Sequence, residues 1–379
     1  MAQQALVCGY DVIAYCSSTA ASQGTEIGDK KVISPEELKQ FCLTGEIDAI
    51  LLGMNSVEHL KEIEDVIRRE FPPYVKAIYP SEIENEYLIY VRNHMQYCWN
   101  IEYERQAKIW LENFQEEVAF WITKVVTPGS LHHSDYRWRL KNEKFLGLNG
   151  SPRMPGSELV EALKSDSVVM DIGCGLQSIY GSRLPNSETI QLIAVDPLAP
   201  IYNQINRKYA NGNFRTSQFG MFEFAANFFK ENYCDAILIN NALDHCIDPY
   251  KSIVECLYVL KKGGTMRLWH ARAEGINEAY CGLHKWNIDY NDENEFVIWN
   301  KENSVNISQK LKEIASIHVI HTDDGIPRDQ QSVTVEIVKR RDFQLQDFFD
   351  MTKESRQLAF LVEGLMTWIA EHCNEFLGF

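Results

Sequence analysis

An apolar run that breaks into two glycines, Val168-Val169-Met170-Asp171-Ile172-Gly173-Cys174-Gly175, limits the folds open to this chain more than any other stretch. Unbroken apolar residues over strand length belong to a parallel strand covered on both faces. Glycine follows where the backbone takes positive φ or lies flat against a ligand. A second apolar run, Ile190 to Val195, ends in Asp196. An acidic residue at the tip of the next strand is placed to accept hydrogen bonds from both hydroxyls of a ribose. The two runs predict an α/β sheet with a nucleoside-containing ligand across the carboxyl ends of adjacent strands.

The dinucleotide fingerprint Gly-x-Gly-x-x-Gly is not met, because Gly175 is followed by Leu176, Gln177 and Ser178, and the next glycine is Gly181. Asp171 would also set a second anion beside a pyrophosphate, whereas it suits an ammonium or a sulfonium. On these motifs, residues from about Ser167 to Lys339 resemble the class I S-adenosylmethionine-dependent methyltransferases. The resemblance implies S-adenosyl-L-methionine as cofactor, with Asp171, Gly173, Cys174 and Gly175 at its amino-acid end. It also implies Asp196 and Pro197 at the ribose, Gly220, Met221 and Phe222 at the adenine, and Asn241 and Ala242 along its border. Met221 stands where the family often carries an acid after the glycine, so apolar contact is expected to grip the base.

Strands are expected at 167–172, 190–195, about 213–216, 235–240, 264–270, 314–322 and 331–339. The last two read as a hairpin around Asp323-Asp324-Gly325-Ile326-Pro327, separated from the fifth strand by an irregular stretch. The fold class is thus α/β, a seven-stranded Rossmann-like sheet of the class I methyltransferase kind. A small α/β domain (1–78) and a helical connector and lid (79–150) precede the methyltransferase domain (151–340), and a helical extension (341–379) follows.

The first segment, around Lys31-Val32-Ile33-Ser34-Pro35-Glu36-Glu37-Leu38, is similar to the small Rossmann-like domain of sugar-nucleotide and polysaccharide-biosynthesis proteins. The usual first strand and glycine loop would precede Gly9, where eight residues stand, so a truncated domain with a docking or scaffold role is expected. In the connector, Trp99, Trp110 and Trp121 recur at one helical face, as a packing stripe or, alternatively, a homodimer contact.

The formal net charge of −16 argues against a nucleic-acid surface, which needs clustered Lys and Arg. No apolar run reaches the roughly 18 residues that would span a bilayer. The ten cysteines include no Cys-x-x-Cys pair, and Met1 to Leu6 lacks the features of a secretory signal. A cytoplasmic protein is expected.

Two histidine-rich stretches carry the acceptor chemistry. Leu243-Asp244-His245 follows the fourth strand, with His245 as general base and Asp244, or alternatively Asp248, as its orienter. After the fifth strand come His270, Arg272 and Gly282-Leu283-His284-Lys285-Trp286-Asn287. With His132, Tyr136 and Arg139 upstream, the residues His270, Arg272, His284 and Trp286 are the substrate-side candidates. Aromatic faces beside polar tips suit a sugar ring. The motifs Leu-Asp-His and Gly-Leu-His-x-Trp-Asn resemble a bacterial methyltransferase group associated with surface-glycan and polysaccharide clusters. That resemblance implies O-methylation of a saccharide or glycan precursor; an N-methyltransferase, a small-metabolite methyltransferase and a non-catalytic binding or scaffold protein are the alternatives. No metal is expected, the rival being a triad of His245, His270 and His284.

Overall fold

The computed structural model describes residues 5, 10–19, 22–27, 30–52, 57–83, 86, 101–125, 127–145, 153–210, 212–321, 331–344 and 358–377. Trp99, the 323–327 turn and the joint near 150 lie outside them. The chain divides into two units, residues 1–94 with 204–214 and 370–379, and residues 95–203 with 215–369.

In the first unit, β3 (Lys30–Ile33) pairs parallel with β1 (Tyr15–Cys16) and antiparallel with β2 (Glu26–Ile27). A capping box then starts α1 (Pro35–Leu43). Ser34 Oγ accepts from the Glu37 N–H at 3.1 Å, and Glu37 accepts from the Ser34 N–H at 2.9 Å. A parallel pair, β4 (Ala49–Leu51) and β5 (Lys76–Ile78), flanks α2 (Val57–Glu70) in sequence. Cys42, Leu52, Leu60, Ile67 and Val75 form the core beneath these elements.

The second unit holds the seven-stranded sheet. Its members are β6 (Val168–Ile172), β7 (Gln191–Asp196), β8 (Gln218–Phe219), β9 (Cys234–Asn240), β10 (Leu260–Ala271), β14 (Ala315–His321) and β15 (Ser332–Lys339). Their order across the sheet is β14-β15-β10-β9-β6-β7-β8. The strands β6 to β10 run parallel, and β15 is antiparallel to both β10 and β14. This is the sheet of class I methyltransferases. The chain leaves β6 toward β7 on one side and returns to β9 on the other, so strand order reverses at β6 and a crevice opens beyond its carboxyl end.

Two expectations are corrected. The third strand forms at Gln218–Phe219 rather than near 213–216, because Arg215 is drawn into loops: its N–H donates to Gln177 Oε1 at 3.3 Å and its guanidinium to Asn142 O at 2.8 Å. The stretch expected to be irregular contains a further antiparallel sheet of β11 (Asn287–Tyr290), β12 (Phe296–Trp299) and β13 (Ser304–Asn306), packed through Ile288, Phe296 and Ile298 onto the core.

After β9, Asp248 caps α5 (Pro249–Val259) by accepting from the Lys251 N–H at 3.0 Å, with Pro249 at the first helical position. Upstream, α3 (Ile101–Phe120) runs into a π-helical turn at Trp121–Val125, and α4 (Leu131–Lys141) follows, capped by Ser130. Part of the helical extension expected over 341–379 forms α6 (Leu358–Leu377). It packs on α3, with Trp368 edge-on to Phe114 at 5.2 Å, and at Gly364 an added Cβ would lie 2.5 Å from Leu111. Among the described residues no helix is long and apolar enough to cross a membrane.

Candidate active site

The crevice at the reversal point is a cavity of about 870 Å³. At one end the glycine turn after β6 folds onto the tip of β7: the N–H groups of Gly173 and Cys174 donate to Val195 O at 2.8 and 3.3 Å. Gly173 has φ +71°, and a Cβ there would stand 2.4 Å from that of Ala242. No other residue fits that turn without displacing the β9 tip. Asp196, next along, accepts from the Gly175 N–H at 2.9 Å and the Leu198 N–H at 2.8 Å, one on each oxygen. Each oxygen keeps a second lone pair.

Asp171, Gly173, Cys174, Gly175, Asp196, Pro197, Met221, Phe222, Asn241 and Ala242 all border this cavity. Both carboxylates are buried, and burial pushes Asp171 up to about 6 and Asp196 up to about 7. Asp171 Oδ2 has no hydrogen-bond partner among the described residues. A buried acceptor on the cavity wall with a lone pair to give fits a cationic ligand group, and a doubly hydrogen-bonded carboxylate fits a diol. The residues present therefore suit a sulfonium nucleoside carrying an ammonium and a ribose.

Beside the glycine turn the tip of β9 turns back sharply. Asn241 takes φ +50°, its N–H donates to Trp269 O at 2.7 Å, and its side chain accepts from the Ala271 N–H at 2.8 Å. The next turn, 243–245, presents Asp244 and His245. Asp244 is 0% exposed and accepts at Oδ2 from His284 Nδ1 at 2.7 Å, while His245 Nε2 lies 3.2 Å from His284 Nδ1 and 3.6 Å from Asp244 Oδ2. The Lys285 N–H donates to Asp244 O at 3.2 Å, the Trp286 indole N–H to Cys246 O at 3.1 Å, and the Trp110 indole N–H to His245 O at 3.1 Å. Three segments distant in sequence are thus locked around one aspartate.

Burial alone would raise Asp244, but the charges of His245 and His270 and the His284 hydrogen bond outweigh it and hold the group below the usual carboxylate value. His284 moves the other way: burial opposes its charge, yet the Asp244 contact dominates and keeps it above the ordinary imidazole value. Backbone strain gathers here too. Ala273, Ala279 and Tyr280 have φ of 59°, 54° and 58°, a conformation side chains rarely adopt and one that clusters at functional loops.

Several expected site residues lie elsewhere. His270 is fully buried, and its Nε2 accepts from the Leu243 N–H at 3.0 Å; burial pushes it down to about 4. It braces the 243–245 turn from behind instead of lining the cavity. Arg272 is engaged by Asp289, Gln331 and Tyr290. Tyr136 is buried in α4, and Trp286 lines a separate hollow of about 290 Å³. Gly220 is packed against Val195. His132 and Arg139 do border the main cavity, Arg139 pairing with Asp135 at 2.6 Å and donating to Gln177 O at 3.1 Å. The triad of His245, His270 and His284 is not assembled, since Asp244 takes the place of His270.

Sequence reasoning also missed part of the wall. Trp121, read as part of a packing or dimer stripe, borders the cavity, where it lies against Gly175 and donates to Glu117 at 2.6 Å. Trp110, the preceding member of that stripe, borders the cavity as well. Glu116, Glu117, Arg153, Glu274 and Glu278 complete the polar lining, and nothing in their local sequence marks them.

Residues 170–268 match the family described as a methyltransferase domain. No curated protein matches the chain. Among solved structures, YcgJ from Bacillus subtilis is 16% identical, with 48% of this chain and 97% of that one covered at a TM-score of 0.33. The carbon methyltransferase CurJ is 15% identical over 69% and 81%, TM-score 0.37. The N-methyltransferase NodS from Bradyrhizobium japonicum, solved with S-adenosyl-L-homocysteine, is 13% identical over 55% and 98%, TM-score 0.31. Strand order and the family match together make the sheet that of a class I methyltransferase domain, and the cofactor of that domain is S-adenosyl-L-methionine.

Proposed function

We propose that the chain O-methylates a saccharide or glycan precursor. One observation carries this reading: Asp244, His245 and His284 converge next to Asn241 and Ala242, and His245 and His284 border the same cavity as the Asp171 and Asp196 carboxylates. S-Adenosyl-L-methionine supplies an electrophilic methyl group on a sulfonium. The chain's own residues do the rest. Asp171, Gly173, Cys174 and Gly175 hold the amino-acid end, Asp196 and Pro197 the ribose, and Met221 and Phe222 the adenine. His245 receives the proton of the acceptor hydroxyl, and Asp244, through His284, steadies the charge that results. A positioned base of this kind contributes about 10²–10⁴-fold.

Trp110, Phe120, Trp121 and His132 give the wall aromatic faces, and Asp135, Arg139 and Arg153 give it polar tips. Such a surface suits a ring with one C–H face and several hydroxyls. A second reading rests on charge. The glutamates 116, 117, 274 and 278 outnumber the two lining arginines, which favours an acceptor bearing an amine, methylated on nitrogen or carried on an amino sugar.

The test is incubation of the full chain with methyl-labelled cofactor and a panel of neutral sugar nucleotides and amino-sugar nucleotides, followed by mass spectrometry of the products. Label on a hydroxyl oxygen, lost in His245→Ala, is the expected result. Label on nitrogen that survives this substitution selects the second reading, and no label on any sugar removes the glycan reading.

A further inference from the structure

The acceptor-side cluster is built more rigidly than proton transfer requires. Asp244 Oδ2, His245 Nε2 and His284 Nδ1 converge within 4.8 Å of one another, with separations of 2.7, 3.2 and 3.6 Å. Three ligands about 2.0–2.2 Å from a tetrahedral ion would stand about 3.3–3.6 Å apart. The His245–His284 pair falls just inside that spacing, and the His284–Asp244 pair is drawn closer by its hydrogen bond. Two imidazoles and one carboxylate form a donor set that suits zinc and its first-row neighbours, and three protein ligands leave a face open.

The surroundings fit the same end. Asp244 Oδ1, the oxygen not shared with His284, has no hydrogen-bond partner among the described residues. His270 stands behind it, its Nδ1 3.8 Å from that oxygen. The Leu243 N–H occupies His270 Nε2, so the ring proton sits on Nδ1 and faces the carboxylate. An outer histidine of this kind orients a ligating carboxylate and is not itself a ligand. His245 and His284 both border the main cavity, so the open face looks into the space an acceptor would fill.

We infer that Asp244, His245 and His284 bind a divalent first-row metal ion whose open face takes the acceptor oxygen. The inference rests on the methyltransferase reading of the cavity and deepens it: His245 then serves as a ligand, and the ion acidifies the hydroxyl. A bound ion of this class lowers the pKa of coordinated water from about 15.7 to about 7. The hydroxyl proton leaves through the cavity to water. An oxygen lone pair forms the new O–CH3 bond, and the S–CH3 pair stays on sulfur as a neutral thioether.

The experiment uses the full chain, freed of metal by a chelator and dialysed, with Zn²⁺ titrated calorimetrically and Co²⁺ followed by its visible d–d absorption. S-Adenosyl-L-homocysteine binding is measured on the same samples. One ion per chain is expected, with tetrahedral cobalt bands. His245→Ala and His284→Ala should abolish these bands while keeping S-adenosyl-L-homocysteine affinity, and His270→Gln should weaken Zn²⁺ affinity about 10–100-fold. Asp244→Asn is buried and tests the ligand set only if its melting curve stays cooperative; the two histidine variants carry the test without it. If the wild type binds S-adenosyl-L-homocysteine but takes up no ion, or binds it equally in both histidine variants, the metal site is overturned and the methyltransferase reading stands. Saturable Co²⁺ binding without S-adenosyl-L-homocysteine binding keeps the metal site and overturns the methyltransferase reading.

Discussion

Asp171 and Asp244 are the same side chain, equally hidden from solvent, yet their acidities move in opposite directions. Burial drives Asp171 up to about 6, with Arg139 and Arg215 as its nearest positive charges. At Asp244 burial is overcome by His245, His270 and His284. A carboxylate without a close counter-charge is stabilised by whatever cation a ligand brings. One already ringed by imidazoles is a fixed part of the machinery. On the proposed function, the Asp171 side is tuned for binding and the Asp244 side is preorganised for chemistry.

Substitutions should separate the two ends, and the largest effect belongs to the acceptor side. His284→Ala should lower kcat about 10²–10⁴-fold while leaving S-adenosyl-L-homocysteine affinity unchanged by calorimetry; a loss of affinity instead would merge the two ends. Asp196→Ala should do the reverse, weakening the cofactor about 10–100-fold as charged hydrogen bonds are lost. Gly173→Ala tests the shared boundary. Its Cβ would meet Ala242 at 2.4 Å in a left-handed turn, so the melting temperature should fall, the backbone term alone costing about 1–2 kcal/mol.

The smallest effect is the pH dependence of binding. A cationic cofactor selects ionised Asp171, so affinity should be level above about 6 and decline as the pH drops below that value. The fall approaches about tenfold per unit, and Asp171→Asn should flatten that limb. Without ligand the sign inverts. A carboxyl whose folded value lies above its unfolded value of 3.8 takes up a proton on folding, so unliganded stability should decrease as pH rises from about 4 to about 7. Thermal melts across that window check it.

Most of the cofactor end was legible in sequence, because buried parallel strands are written as apolar runs and the turn after β6 must be glycine. The acceptor end was legible only as ingredients. Asp244 and His245 are neighbours in sequence, which suggests a working pair, but the closer partner of Asp244 is His284, forty positions away. The expected third strand failed because Arg215 found loop partners, a tertiary contact no local pattern records. The β11–β13 sheet was hidden by its polar turn, Asn291 to Glu295. Trp110 and Trp121 were legible as one helical face, but spacing alone does not say that this face borders a cavity.

Gly181 has a consequence for the helix that bears His132 and Arg139. A Cβ there would fall 2.0 Å from the carbonyl carbon of Glu143, so two stretches of main chain lie in direct contact. Gly181 N–H donates to Lys144 O at 2.9 Å, Phe145 N–H to Arg183 O at 2.8 Å, and Arg183 N–H to Glu143 O at 2.9 Å. This zipper fastens the far end of α4 to the loop that follows the cofactor's glycine turn. A side chain at position 181 would push those two stretches apart and shift the end of the helix that bears His132 and Arg139.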